Sequence, residues 1–415
     1  MPQVALPTFA VKIRFASGAD LSGWSLGYGG LGAVSLGDPD DPSVYEDVIA
    51  DVRGIHVAYG KARELEHYRP ALASVVLDNR EREYDPLNLS GSHVSGLGVT
   101  EIQPGRRIRI SATHPTTSIS YDVFRGTIQA WEMNYQQNAD ATTTARAADL
   151  MADLAAAKVT LTTTAGLSNV AAQNILDAAG IATASVQTGQ STLQATTFTN
   201  ASALSALQLV ETSEQGAIYV TPDGVLNVDD RHAILDEARS NTSQATFGAG
   251  NLTITSIAVE YDSDLIKNDI SLQRTGGTAQ TATDAASITA YGTRSYALTS
   301  LMNSADAEVD SLADGILSQF KSAELRIRSI TIEPQAHADL MTQALSRRLR
   351  DRITINYAPP GGGSAISQDA FIAGIMTSVV AGHMQTRYTL ESTTGRGGFW
   401  ALGTGALDTT TVLGF

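Results

Sequence analysis

"GIHVAYGKARELEHYRPALASVVLDNREREYDPLN", residues 54–88, is the stretch whose reading decides the fold. Alternation up to Val57 marks a strand, and Gly60-Lys61-Ala62-Arg63 marks the turn that ends it. A second β-rich run, Ala71 to Leu77, stops at Asp78-Asn79 and leads into Tyr84-Asp85-Pro86-Leu87-Asn88. In that exit turn Pro86 fixes φ, while Asp85 and Asn88 can satisfy nearby backbone groups with their side chains. Asp85 is expected to accept hydrogen bonds from neighbouring N–H groups. The stretch offers no nucleophile, metal cluster or phosphate loop.

Working outward, short strands are predicted at 11–15, 48–57, 73–77, 107–112, 120–135 and 142–147, with a Gly/Pro/Asp-rich loop over 23–42. In the longest run Tyr121, Val123, Gly126, Ile128 and Ala130 break strict parity, which predicts a bulge near Gly126. This pattern predicts an antiparallel barrel or sandwich. At Asp149 the period changes to helical, through Leu150, Leu154, Val170, Ile175 and Leu176. Helices are predicted over 169–179, ending at Gly180, and 201–214, ending at Gly216. "AIYVTPDGVLNV" reads as a hairpin around Pro222-Asp223-Gly224. Residues 151–250 carry Lys158, Arg231 and Arg239 against nine acids, as a small α/β unit with an acidic face would. Strands return at 252–261 and 266–274. An amphipathic helix follows over 305–320, with Ser304 as N-cap and Val309, Leu312, Ala313, Ile316 and Phe320 on one stripe. Strands at 325–332, 352–357, 370–380 and 386–392 complete a second β unit.

Several segments carry a family resemblance. Besides the 54–88 stretch they are Pro104-Gly105-Arg106-Arg107-Ile108-Arg109-Ile110, Phe124-Arg125-Gly126-Thr127-Ile128 followed by Trp131, and Ala147-Ala148-Asp149-Leu150 running on to Leu154. Ile288-Thr289-Ala290-Tyr291-Gly292-Thr293-Arg294 and Phe399-Trp400-Ala401-Leu402-Gly403 complete the set. In this order they resemble the minor tail proteins of siphophages, the baseplate or tail-tip hubs of phages infecting Gram-positive, often actinobacterial, hosts. The loop Gly23 to Glu46 departs from the pattern by being longer. The resemblance implies a mainly β protein with an α/β part: two antiparallel, tail-tube-like β-barrel domains with a small inserted α/β domain. The corresponding division is a first barrel over 1–148, an α/β domain over 149–250 joined by 282–324, a discontinuous second barrel over 251–392, and a tail over 393–415. It further implies a structural virion protein, assembled in the host cytoplasm. As a trimer, such a hub presents a pseudo-sixfold ring to a hexameric tail tube. Its partners are other copies of itself, the distal tail protein, tail tube, tape-measure protein, and fibre or tip proteins. The alternative in the same class is the hexameric distal tail ring protein, which pairs its barrel with a galectin-like domain; the predicted helices speak against it. From another class, a host-wall carbohydrate binder would use Trp24, Trp131 and Trp400.

Composition sets bounds on these readings. A chain of 415 residues is too long for one core and should divide into two to four domains. Charged residues make up 17%, and Thr, Ser, Ala and Gly fill the gap, as in a Thr-rich β protein or one whose sheet faces meet other subunits. The net charge of −15 argues against stable nucleic-acid binding, although an acidic lumen would let DNA pass without sticking. With no cysteine there are no disulfides, thiolate catalysis or Cys-zinc sites. The amino end lacks a basic n-region and is broken by Pro7 and Lys12, so no signal peptide is expected; no apolar run is long enough to span a membrane.

No catalytic, cofactor or metal site is assigned, and the chain is expected not to be an enzyme. Gly27-Tyr28-Gly29-Gly30-Leu31-Gly32 matches GxGxxG, but no strand precedes it and "AVSLGDPDDP" cannot start the required helix. Asp38, Asp40, Asp41, Glu46 and Asp47 crowd oxygens into a loop that is either solvated or a calcium site without EF-hand spacing. His56, His67, His93, His114, His232, His337 and His383 show no zinc spacing, and His337 reads as a helix-start detail. Arg347, Arg348, Arg350 and Arg352 mark either a helix C-terminus followed by a strand edge or a contact for an acidic neighbouring subunit.

Overall fold

The computed structural model describes residues 4–15, 45–95, 97–137, 140–261 and 263–393. Among these, thirteen strands share one sheet. From one edge its path runs Ser256–Glu260, Arg326–Ile332, His383–Ser392, Ile366–Val380, Val52–Gly60, Arg69–Asp78, Ala141–Ala148, Ser120–Tyr135, Arg107–Thr113, Thr8–Arg14 and Glu46–Asp47. Every neighbouring pair on this path is antiparallel. Arg352–Tyr357 branches from Ile366–Val380 and carries Thr246–Phe247 in parallel. The strand Val52–Gly60, which opens the quoted stretch, is the seam. One side of it pairs with Arg69–Asp78, and the other with the far half of the chain, from Gly54 opposite Val380 to Gly60 opposite Gly374.

This corrects the expectation of two barrels. Among the described residues no strand pairing closes either half into a ring. The free edges of the two halves satisfy each other's N–H and C=O groups instead. One buried core follows from the shared sheet, and it joins Val11, Ile55 and Val75 to Phe247, Ile330 and Tyr388. Alternation is the local cause: Ala71, Ala73, Val75 and Leu77 are all buried on one face of their strand.

The parity break of the long strand Ser120–Tyr135 resolves into two register shifts. One lies opposite Ile110/Ser111 and the other between Ile128 and Ala130, so they flank Gly126 rather than fall on it. Gly126 answers a different need: a Cβ there would overlap the Ala148 carbonyl oxygen.

The exit turn is built as its residues suggest. Asp85 is buried; its Oδ1 accepts from Leu87 N at 2.9 Å, and its Oδ2 accepts from Tyr135 Oη and Arg82 Nε, both at 2.8 Å. Tyr84, fully buried beside it, donates its hydroxyl to Asp51 at 2.6 Å. Burial pulls the Asp85 carboxyl upward, but these hydrogen bonds and Arg82 hold it below the usual range. Asp85→Ala removes three hydrogen bonds at once and is expected to cost about 2–3 kcal/mol, read by urea denaturation. A denaturation curve unchanged by this substitution would leave the turn without a structural role.

Two excursions leave the sheet. The first, between Ala148 and Thr246, holds helices Leu150–Ala156, Ser168–Ala178 and Ala203–Glu214, with Leu154, Ile175, Leu207 and Ile218 in its core. Its expected hairpin is present as Ala217–Val220 against Leu226–Asp229. The third helix does not end on Gly216: Gln215 itself takes the left-handed conformation at φ 55°. The second excursion, between Glu260 and Arg326, holds a three-stranded sheet and the helices Ala285–Tyr291 and Asp306–Phe320. The strand expected over 266–274 is Asp269–Arg274 and pairs here, not in the large sheet. The stripe Val309, Leu312, Ala313, Ile316 and Phe320 is buried as expected. Ser304 is not the N-cap: the helix starts at Asp306, which puts Ala305 at the cap position without a side-chain cap, and the Asp306 carboxylate takes Arg274 Nε at 2.6 Å. The two excursions meet where Gln194 N donates to Met302 O at 2.8 Å and Met302 N donates to Ser213 Oγ at 2.9 Å.

Asp149 ties the first excursion to the quoted stretch. Its Oδ1 caps Met151 N and its Oδ2 accepts from Ala71 N, both at 2.9 Å. Burial pushes this carboxyl up to about 7 against the pull of those two N–H groups. The folded state therefore holds its proton more tightly than the unfolded chain, where the pKa is about 4. The stability from this proton is full below pH 4 and lost as pH rises through 7, a change of at most about 4 kcal/mol. Asp85, held low, acts in the opposite sense, and its support is lost as pH falls below about 4. Stability measured from pH 4 to 8 should fall in the native protein and run flatter in Asp149→Asn. Parallel curves for the two proteins would remove Asp149 as the cause.

Candidate functional site

The Gly60–Arg69 connection hangs from the seam strand, and both excursions close over it. Together they enclose a cavity of ≈ 290 Å³, bounded also by helices Ala203–Glu214 and Asp306–Phe320. Ion pairs hold its walls. Lys61 Nζ lies 2.6 Å from Glu391 and over the Tyr68 ring, 4.9 Å from its centroid. Glu64, buried, stands 3.4 Å from Arg326 Nε and accepts from Ser392 N at 3.2 Å. His67 Nδ1 lies 2.6 Å from Glu211 Oε2, while Glu211 Oε1 accepts from Ile218 N. The bond to Glu211 raises the His67 pKa against the opposing effect of burial. Arg231 donates to Ser191 Oγ at 2.8 Å and sits 3.9 Å from Glu214.

A second deeply buried pair is Arg350 with Asp229, 3.2 Å apart at 8% and 3% side-chain exposure. It is an ion pair by distance, without hydrogen-bond alignment at Arg350 Nη1. Asp229 also accepts from the Tyr219 hydroxyl at 3.0 Å. The arrangement joins the sheet and the first excursion through paired charges, and Arg231 also comes within 4.0 Å of Glu308 in the second excursion. Chemically it is a clamp: Glu64, Glu211, Glu391 and Asp229 are all engaged within the chain.

The arginine run belongs to this clamp. Helix Ala338–Ser346 ends just before it. Arg347 lies 3.3 Å from Asp351, Arg350 meets Asp229, and Arg352 meets Asp369 at 2.6 Å. Arg239 of the acidic segment reaches back to Asp351 at 2.7 Å. Three of the four arginines thus have carboxylates of their own chain. For Arg350 the signal that could have found its partner was charge complementarity between the basic run and the acid-rich 151–250 segment, which holds Asp229.

Other singled-out residues scatter. The 27–32 glycines, Asp38, Asp40, Asp41, Trp24, Trp400 and the 399–403 segment lie outside the described residues. Asp47 Oδ1 accepts from Ile49 N at 3.1 Å. His93 stacks on Phe15 with centroids 3.8 Å apart, and His114 Nδ1 accepts from Thr116 and Thr117 N. His337 caps its helix by accepting from Asp339 N at 3.1 Å, the helix-start role its position suggests. Trp131 donates its indole N–H to Gln103 O at 3.0 Å and packs against the large core. Among the described residues no group of three or more His, Asp or Glu could hold a metal ion.

No protein-family model and no curated protein matches the sequence. Solved structures do match. The tail protein from Neisseria meningitidis MC58 has a TM-score of 0.59 at 13% identity, covering 92% of this chain and 96% of that one. The 43 kDa tail protein of prophage MuSo2 from Shewanella oneidensis has a TM-score of 0.58 at 11% identity, covering 94% and 98%. The chain has the fold of these tail proteins.

Proposed function

We infer that the chain is a structural, non-enzymatic component of a phage tail, acting as the hub at its distal end. The observation that carries this reading is the likeness to two tail proteins along nearly the whole of all three chains. The order of sequence motifs resembling siphophage hubs supports the finer assignment. On this reading each β half is one tail-tube-like unit. Three subunits form a ring that joins the tail tube and distal tail protein to the tip or fibres. The non-enzymatic part is supported by the charged cavity, whose acids are engaged in holding the chain together. A tail origin also places the protein in the virion.

Gold-labelled antibody against this chain should mark the distal tip of the tail in intact phage particles, and native mass measurement should return a trimer. Label on the head, or its absence from particles, would end the tail assignment. Label along the whole tube would move the protein from hub to tube. Clearing of purified cell walls, abolished by a single Asp or Glu substitution, would overturn the non-enzymatic reading.

A further inference from the structure

The Gly60–Arg69 connection is tied on two sides. Toward the second half of the chain its ties are made with lysine and arginine: Lys61 lies 2.6 Å from Glu391, Glu64 3.4 Å from Arg326, and Arg63 3.4 Å from Asp264. Toward the first excursion it reaches through His67, which lies 2.6 Å from Glu211 on helix Ala203–Glu214. Lysine and arginine stay protonated far above neutral pH, whereas a histidine changes charge near it.

The surroundings of His67 suit the imidazolium better than the neutral ring. Nδ1 faces Glu211 Oε2, and Nε2 faces Thr212 Oγ1 at 3.5 Å. Thr212 donates its hydroxyl proton to Gln208 O at 2.7 Å, so its oxygen meets His67 as an acceptor. Both ring nitrogens thus face acceptors, and only the protonated ring has a proton for each. Glu211 is 7% exposed and is fixed from the other side, where its Oε1 accepts from Ile218 N at 3.1 Å. When His67 loses its proton, Nδ1 can still donate to Glu211. The attraction between charges is then gone, and so is the contact at Nε2.

The charged and titratable groups around this pair come from every side. They are Lys61, Glu64, Glu66 and Tyr68 on the connection itself, Arg231 and His232 of the first excursion, Tyr296 of the second, and Arg350 and Glu391 of the second β half. The bond to Glu211 raises the His67 pKa above its ordinary 6.5, against burial and the charge of Lys61. The stability the pair contributes is therefore full below about pH 6.5 and lost as pH rises through that raised value.

We propose that His67 and Glu211 form a pH-sensitive latch: with His67 protonated the first excursion is fastened to the seam, and deprotonation loosens it while the lysine and arginine ties hold the second half in place. The latch is independent of the tail assignment, since it concerns only how the chain holds its own first excursion.

The test is hydrogen exchange of the full chain, read by mass spectrometry at about pH 6 and about pH 8.5, with each rate divided by the intrinsic rate at that pH. Asp149 titrates in the same range and sense, so the measurement is made in Asp149→Asn, whose side chain carries no charge. Relative exchange over 203–214 is expected to rise about fivefold between the two pH values, the difference between a charge-assisted and a neutral hydrogen bond. Strands 326–332 and 383–392 should stay unchanged. Adding His67→Gln, which donates without charge, should give the faster exchange at both pH values. Adding His67→Lys, which stays charged, should give the slower exchange at both. A rise that persists in either variant, or no rise with His67 in place, would overturn the latch. So would a rise shared equally by the two control strands, because it would report opening of the whole chain. The position of the protein on phage particles is unaffected by any of these outcomes.

Discussion

Gly60→Ala is expected to cost about 3–5 kcal/mol and to open the seam between the two β halves. Gly60 sits at φ 112°, where an L side chain is strained, and a Cβ there would overlap the Ala373 carbonyl oxygen and Gly374 Cα. Both atoms are backbone of the partner strand, so no side chain can move aside to relieve them. The penalty combines about 1–3 kcal/mol of backbone strain with a comparable amount from overpacking. Gly54→Ala on the same strand is the control. A Cβ there meets its nearest neighbours at 3.6 Å, an ordinary contact, and the change should cost less than about 1 kcal/mol. Urea denaturation gives the energies. Hydrogen exchange should show protection lost along Val52–Gly60 and Ile366–Val380 in Gly60→Ala alone. Equal effects at the two glycines would mean that close approach at Gly60 does not govern the seam.

Arg350→Met should be comparably severe, about 3–5 kcal/mol, because it leaves Asp229 buried without its cation. Burial already raises the Asp229 carboxyl, and Arg350 opposes that rise. Without the arginine the group is expected to take up a proton, so the loss should be smallest in acid and grow toward neutral pH. The double variant Arg350→Met with Asp229→Asn should recover part of the loss, since it removes the stranded charge. The same double variant would be as damaged as the single one if Arg350 acted only through packing. Arg350 holds a left-handed φ of 67°, so Arg350→Gly separates the pair from the backbone: it loses the charge yet relieves the strain.

Much of the fold was legible because alternation and turn chemistry are local properties. Strands at 107–112, 120–135, 352–357 and 386–392 match observed strands to within a few residues, as do the apolar stripe of the 305–320 helix and the 222–224 hairpin. The turn at Asp85 follows from side chains reaching their near neighbours in sequence, and the change of period at Asp149 marks a helix start that the structure shows Asp149 itself caps. Ser304 does not cap its helix because the helix begins one residue later than the pattern suggests, with Ala305 at the cap position, while Ser304 N–H bonds to Thr192 O across the junction of the two excursions. Helix Ala285–Tyr291 and strand Ser295–Leu301 passed unnoticed because both are short and rich in Ala, Ser and Thr, with little apolar period to detect.

The sequence by itself therefore determined most of the longer strands and helices, several of the turns, and that the chain is mainly β with helical excursions. Tertiary structure alone decided that the two β halves share one sheet through Val52–Gly60 and Ile366–Val380, and that Arg350 finds Asp229 across the junction. The physical reason is range. Periodicity and capping act within a turn or two of chain, whereas a strand edge presents the same N–H and C=O groups to any partner. Which edge it meets, some three hundred residues away, is fixed only when the whole core packs.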